Sequence, residues 1–178
     1  MFTKPNIFIS RCLNSARCRW NGEIISDKFV EKLKPYVNFI TTCPECEIGL
    51  GTPRNPIRIV FEGNSYRLTQ LNTGKDITKL MNAFVRKYIK SIKDIDGFIL
   101  KDRSPSCGIK SVKVYAGLDA MRPIKRTLGF FAKGILENFP DIVIETEARL
   151  ASPTVRRRFI EKVFIHAAHR NLVKKQQK

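Results

Sequence analysis

Acidic residues are scarce in this chain: 16 Asp and Glu stand against 33 Lys and Arg, so its 178 residues carry a formal charge of +17, with only two His. Long apolar runs are missing as well. No uncharged stretch approaches the roughly 20 residues that cross a bilayer, and the first apolar run, Ile7 to Ser10, meets Arg11 before a signal-like segment can develop. A cytoplasmic protein with no membrane partner is expected. Repeats and low-complexity linkers are absent too, so one domain over 1–178 is expected at roughly 100–200 residues per domain. Five cysteines, an odd number without a secretion signal, exclude a disulfide framework. What is present is a core: 43% of residues are hydrophobic, twelve of them Phe, which excludes disorder.

A large positive charge favours polyanions through counterion release but does not define a function. It is unevenly spread. The last 28 residues hold eight basic groups and one acidic group, marking a basic helical tail over about 153–178.

Strand and helix signals alternate. Ile7 to Ser10 and the β-branched run Val37 to Thr42 read as strands. Ser26 and Asp27 precede Phe29, Val30 and Leu33, an N-capped helix ending near Pro35. Ile57 to Phe61 and Tyr66 to Leu68 flank a Gly63-Asn64 turn and read as a hairpin. Between Asp76 and Ile92 the apolar residues recur at intervals of three and four, predicting an amphipathic helix. Gly97 to Lys101 reads as a strand, Pro123 to Asn138 as a helix, Ile142 to Ile144 as a strand and the tail as a helix. The alternation predicts a three-layer α/β fold: a mainly parallel sheet, helices on both faces and a C-terminal helix.

The cysteines are Cys12, Cys18, Cys43, Cys46 and Cys107. Cys12 and Cys43 lie just past the first two strands, and Cys107 a few residues past the strand ending at Lys101. The carboxyl ends of parallel strands form the ligand crevice of an open α/β sheet, so three cysteines at that address can converge. Cys43-Pro44-Glu45-Cys46 also reads as a redox pair, but that chemistry needs a helix starting at the motif, and the continuation from Glu47 through Gly49, Gly51 and Pro53 is not helical. A zinc ribbon would need a second CxxC. Three convergent thiolates suit an iron-sulfur cluster with one iron left open, although separations of 31 and 64 residues match no compact ferredoxin run. Buried, inert thiols are the alternative. Around Cys107, Pro105 and Gly108 fix a turn carrying Ser104 and Ser106, with Lys101 and Arg103 beside it.

Ile9-Ser10-Arg11-Cys12-Leu13, Arg19-Trp20-Asn21-Gly22, Cys43-Pro44-Glu45 with Gly49-Leu50-Gly51-Thr52-Pro53-Arg54, and Leu100-Lys101-Asp102-Arg103-Ser104-Pro105-Ser106-Cys107-Gly108 together resemble the thiouracil desulfidase family in its single-domain form. The resemblance implies a 4Fe-4S cluster on Cys12, Cys43 and Cys107, with an open iron that takes the sulfur of a thiolated pyrimidine, giving uracil and sulfide from thiouracil without net redox change. It implies Glu45 as the acid or base, with Ser104 and Ser106 positioning water or substrate and Arg54, Lys101 and Arg103 lining the substrate side. Arg19-Trp20-Asn21-Gly22 stands where the family usually has Arg-Tyr-Asp-Gly, so specificity differs there. Cys46 is an extra thiol able to substitute for Cys43 or to cap the fourth iron; Cys18 has no assignment. Rival readings keep the chemistry but move it to thiolated RNA, or make the chain a non-enzymatic, basic nucleic-acid-binding domain.

Overall fold

Two four-stranded sheets and five helices are built from residues 3–176, the part of the chain that the computed structural model describes; residues 177 and 178 of the basic tail lie outside it. The first sheet holds β1 (Asn6–Ser10), β2 (Asn38–Thr42), β5 (Gly97–Leu100) and β8 (Val143–Thr146) in the order β2-β1-β5-β8, and every pair in it is parallel. β1 and β5 are buried from end to end apart from the half-buried Asn6, as parallel strands covered on both faces must be. The second sheet holds β3 (Ile57–Glu62), β4 (Ser65–Gln70), β6 (Val112–Tyr115) and β7 (Lys125–Thr127) in the order β4-β3-β6-β7, with one parallel pair between two antiparallel ones.

Helices cover both faces of the parallel sheet, as the alternating pattern implies. On one face Phe8, Phe98 and Leu100 meet α3 (Thr78–Ser91) through Met81 and Val85, and α4 (Phe130–Asn138) through Phe131 and Ile135. On the other, Ile7, Ile9 and Ile99 pack with α1 (Lys28–Leu33) through Val30 and with α5 (Pro153–Gln176) through Phe159 and Val163. The second sheet contributes Ile59, Leu68, Val112 and Val114 to the core shared with α3 and α4. It is a second sheet that the sequence pattern did not announce.

Local chemistry explains the boundaries. Asp27 caps α1, its Oδ1 accepting from the backbone N–H groups of Phe29 and Val30 at 2.9 Å each. The predicted hairpin forms as β3 and β4. The helix expected from Pro123 to Asn138 is corrected: Lys125 and Thr127 instead pair with Val114 and Val112, and α4 begins only after Gly129. Glycine is required there, because a Cβ would stand 2.5 Å from the Ser106 carbonyl. The continuation beyond Glu47 is not helical, as expected, although the CxxC itself is helical. Pro44–Glu47 forms a single turn, α2, which Gly49 and Gly51, both at positive φ, prevent from continuing.

Candidate active site

A cleft of about 610 Å³ opens at the carboxyl ends of the parallel strands. Its floor comes from three places in the chain: Ser10 and Cys12 after β1, Thr42 and Cys43 at the end of β2, and Lys101 to Cys107 after β5. Cys18, Trp20 and Arg54 close one side, Glu147 lies beyond β8, and Arg58, Lys113 and Tyr115 of the second sheet form the opposite wall. Cys12, Cys43 and Cys107 thus meet at one crevice.

Cys18 belongs to the same group. It is 6% exposed, its thiol is in side-chain contact with both Cys12 and Cys43, and its carbonyl accepts from the Cys43 thiol at 3.7 Å. Cys46 lies at the edge of the group, its thiol 3.8 Å from the Cys18 carbonyl that Cys43 also meets. It is half-buried, absent from the cleft lining, and lies 3.6 Å from the Thr52 hydroxyl. All five thiols are free. Contact with Cys12, opposed by Cys43 and added to by burial, pushes the Cys18 thiol up to about 11. The Cys18 neighbour and then burial push Cys43 up, and burial does the same to Cys107 and Cys46.

Glu45, on α2, is the buried carboxylate of the site. Its Oε2 accepts from Arg54 Nε at 2.9 Å and Nη2 at 2.6 Å, and its Oε1 accepts from the Ser106 hydroxyl at 2.9 Å. The Arg54 side chain is only 4% exposed, and its Nη1 donates to the carbonyls of Cys18 and Gly51 at 2.9 Å each. Burial works against its charge, but Glu45 and the nearby thiols hold the guanidinium above its ordinary value. Arg54 Nη2 lies 4.0 Å from the Cys43 sulfur and Nη1 3.7 Å from that of Cys46, placing positive charge beside the thiols.

The turn bearing Cys107 is fixed from inside and outside. Ser104 Oγ accepts from the N–H groups of Ser106 and Cys107 at 3.2 and 3.1 Å, and Gly108 N–H donates to the Ser104 carbonyl at 2.8 Å. The start of α4 grips the same turn, with Phe131 and Ala132 N–H groups donating to the Ser106 carbonyl at 2.8 and 3.2 Å. Ser106 is fully buried and lies behind Glu45, outside the cleft lining, whereas Ser104 reaches the cleft. Lys101 donates to Glu147 and to the Asp102 carbonyl. Arg103 lines the mouth with its side chain 79% exposed, 3.4 Å from Asp102.

Three contributors went unassigned in the sequence: Cys18, Glu147 and Arg58. Glu147 holds Lys101 Nζ and accepts from the Asp102 N–H at 2.7 Å. It directly follows β8, so the strand-end rule that selected Cys12 and Cys43 also selects it. Arg58 stacks 4.0 Å over Tyr115 and donates to the Leu118 and Ala120 carbonyls. Nothing in its strand pattern marks it.

Among the described residues, no group of three or more His, Cys, Asp or Glu is arranged to hold a single metal ion. Four free thiols on one cleft, with an arginine beside them, nevertheless form a soft donor set suited to a thiophilic group. Fold and site therefore define an α/β protein with a thiol-lined crevice at the strand ends of a parallel sheet. The chain belongs to the family described as 2-thiouracil desulfurase, which matches residues 7–147. The uncharacterized protein YbbK of Bacillus subtilis (strain 168) is 33% identical over 111 residues, 57% of this chain and 72% of that one. A solved structure described as a [4Fe-4S]-dependent thiouracil desulfidase, TudS, shares the fold with a TM-score of 0.62 at 24% identity, over 83% of this chain and 94% of that one.

Proposed function

We propose that this protein removes sulfur from a thiolated pyrimidine base, releasing the oxo base and sulfide with no net redox change. The observation that carries the reading is the meeting of Cys12, Cys43 and Cys107, from three separate strand ends, beside the buried Glu45. In this reading the three thiolates hold a 4Fe-4S cluster, the group on which TudS is described as dependent. The bound cluster supplies a Lewis-acidic iron for the substrate sulfur.

The chain's own residues do the rest. Glu45 takes a proton from the attacking water and returns it as the C–S bond breaks, so that thiobase and water become oxo base and hydrogen sulfide. Ser106 and Arg54 hold its two oxygens. Ser104 keeps the Cys107 turn closed while presenting its hydroxyl to the cleft. Arg54 supplies a fixed positive charge at the thiol side of the substrate, and Lys101 and Arg103 meet it from the mouth. Trp20, which lines the cleft and is 47% exposed, offers a face for a pyrimidine ring to stack on. Oxygen-free purification is expected to yield brown protein with about four irons per chain that releases sulfide from 2-thiouracil or 4-thiouracil. Colourless, iron-free protein from the same preparation would refute the assignment.

One observation favours a second substrate for the same chemistry. The cleft wall of Arg58, Lys113 and Tyr115 continues onto the outer face of the second sheet, where Arg126 pairs directly with Lys113. Like charges in register cost stability, so this face suits a thiolated RNA strand. Binding of single-stranded RNA that weakens steeply with salt supports that substrate; no binding at low salt removes it.

A further inference from the structure

A second cavity, of about 660 Å³, is lined from β3, β4, β7, α3 and α4 and shares no residue with the thiol cleft. Its size is that of a small-molecule site, roughly 300–1,000 Å³. The floor is apolar: Ile59, Val85 and Ile89 are buried, and Leu128 and Phe130 half-buried. Along one wall, Asn82, Arg86 and Lys90 follow one another at intervals of four and so share one face of α3. Elsewhere in this chain three helical cations have a carboxylate at that interval: Lys133 pairs with Glu137, Arg149 with Glu145 and Arg157 with Glu161. α3 carries no Asp or Glu, and among the described residues Arg86 and Lys90 have no hydrogen bond or ion pair. Glu137, the one acidic residue among those lining the cavity, is already taken by Lys133. Like charges four residues apart repel, so two cations stand uncompensated beside an apolar floor.

We infer that this cavity binds an aliphatic chain ending in one anionic group, a carboxylate or a phosphate. Arg86 and Lys90 receive the head, with the Asn82 amide beside them, and the chain covers the floor. An arginine fork holds two oxygens of either head at once, while removal of apolar surface from water drives the rest. Neither half is enough by itself. The head alone would make only exposed ion pairs, which contribute little, and a neutral chain would leave both cations unanswered. The site is independent of the desulfidase reading, because the two pockets have no residue in common.

Nuclear magnetic resonance of protein with labelled Ile, Leu and Val methyl groups tests this, with octanoate, octyl phosphate, octanol, acetate and inorganic phosphate as the probes. Octanoate or octyl phosphate is expected to shift the methyls of Ile59, Val85, Ile89 and Leu128 while leaving Ile57, which lines the thiol cleft, in place. It is expected to bind at least about tenfold more tightly than octanol, acetate or inorganic phosphate, as hydrogen bonds to a charged head imply; the tighter of the two octyl anions identifies the head. Arg86→Gln with Lys90→Gln, both at exposed helix positions, is expected to remove that advantage and leave the methyl spectrum of the free protein otherwise unchanged. Octanol binding as tightly as the octyl anions, shifts centred on Ile57, unchanged octanoate affinity in the double variant, or no shift at millimolar probe would each overturn the inference. None of these results bears on sulfide release from thiouracil, so the two readings fail separately.

Discussion

Ser106 shows how much the site depends on one hidden hydroxyl. It contributes no surface to the cleft, yet it occupies one oxygen of Glu45 while Arg54 occupies the other. In Ser106→Ala the Glu45 Oε1 loses its donor in a buried place. Since hydrogen bonds to charged groups contribute roughly 1.5–3 kcal/mol, a stability loss of that order is expected in urea denaturation, alongside slower desulfuration. Glu45→Gln should retain full iron content while desulfuration falls about 10²–10⁴-fold, the usual contribution of a positioned acid or base; iron quantification and sulfide release separate the two effects. The thiols give a further test. All four pushed-up thiols are mostly protonated at neutral pH, and thiolate is the reactive form. Iodoacetamide treatment of metal-free protein at neutral pH should therefore modify the half-buried Cys46 before Cys18, Cys43 or Cys107, as peptide mass spectrometry would show.

At the scale of elements, the meeting of α3 and α4 controls the turn that carries Cys107. Gly134 lets the two helices close: a Cβ there would stand 2.4 Å from Val85 Cγ1 and 3.0 Å from Ile89 Cδ1. Gly134→Ala should cost about 1–3 kcal/mol as overpacking, measured by thermal denaturation. Because the start of α4 holds the Ser106 carbonyl, the same variant should also lower the yield of cluster-loaded protein. Much of this scale was legible in the sequence. Apolar periodicity located α3, and β-branched runs ending at Ser10 and Thr42 located the strands whose ends bear Cys12 and Cys43. β6 and β7 were not legible, because Val112–Tyr115 is four residues long and Lys125–Thr127 consists of polar side chains. They are strands through pairing with a sheet rather than through their own pattern. The carboxylate Glu45 was visible in its motif, whereas its partnership with Ser106, 61 residues away, arises only when α2 and the Cys107 turn pack together.

For the molecule as a whole, the charge of +17 acts on stability through two kinds of pair. Most of its ion pairs are exposed and contribute little individually, so the net excess repels itself and weakens the fold at low ionic strength. The pair that joins the C-terminal helix to the parallel sheet differs. Arg170 holds both oxygens of Asp96, at 3.0 and 2.8 Å, and Asp96 also accepts from the Asn6 N–H at 2.7 Å, at the opening of β1. The Asp96 side chain is only 2% exposed. Removing one partner of a buried pair strands the other charge at a cost of roughly 3–5 kcal/mol. Arg170→Ala should lose stability of that size and release the end of α5, while Arg157→Ala, on the exposed side of the same helix, should change it by less than about 1 kcal/mol. Salt separates the two effects. Raising sodium chloride from 10 to 150 mM shortens the screening length to about 8 Å, so the denaturation midpoints of wild type and Arg170→Ala should rise together as self-repulsion is screened. The gap between them should persist, because a buried pair is screened little. A gap that closes with salt would place the anchoring of α5 in its surface charge instead of in the Arg170–Asp96 contact.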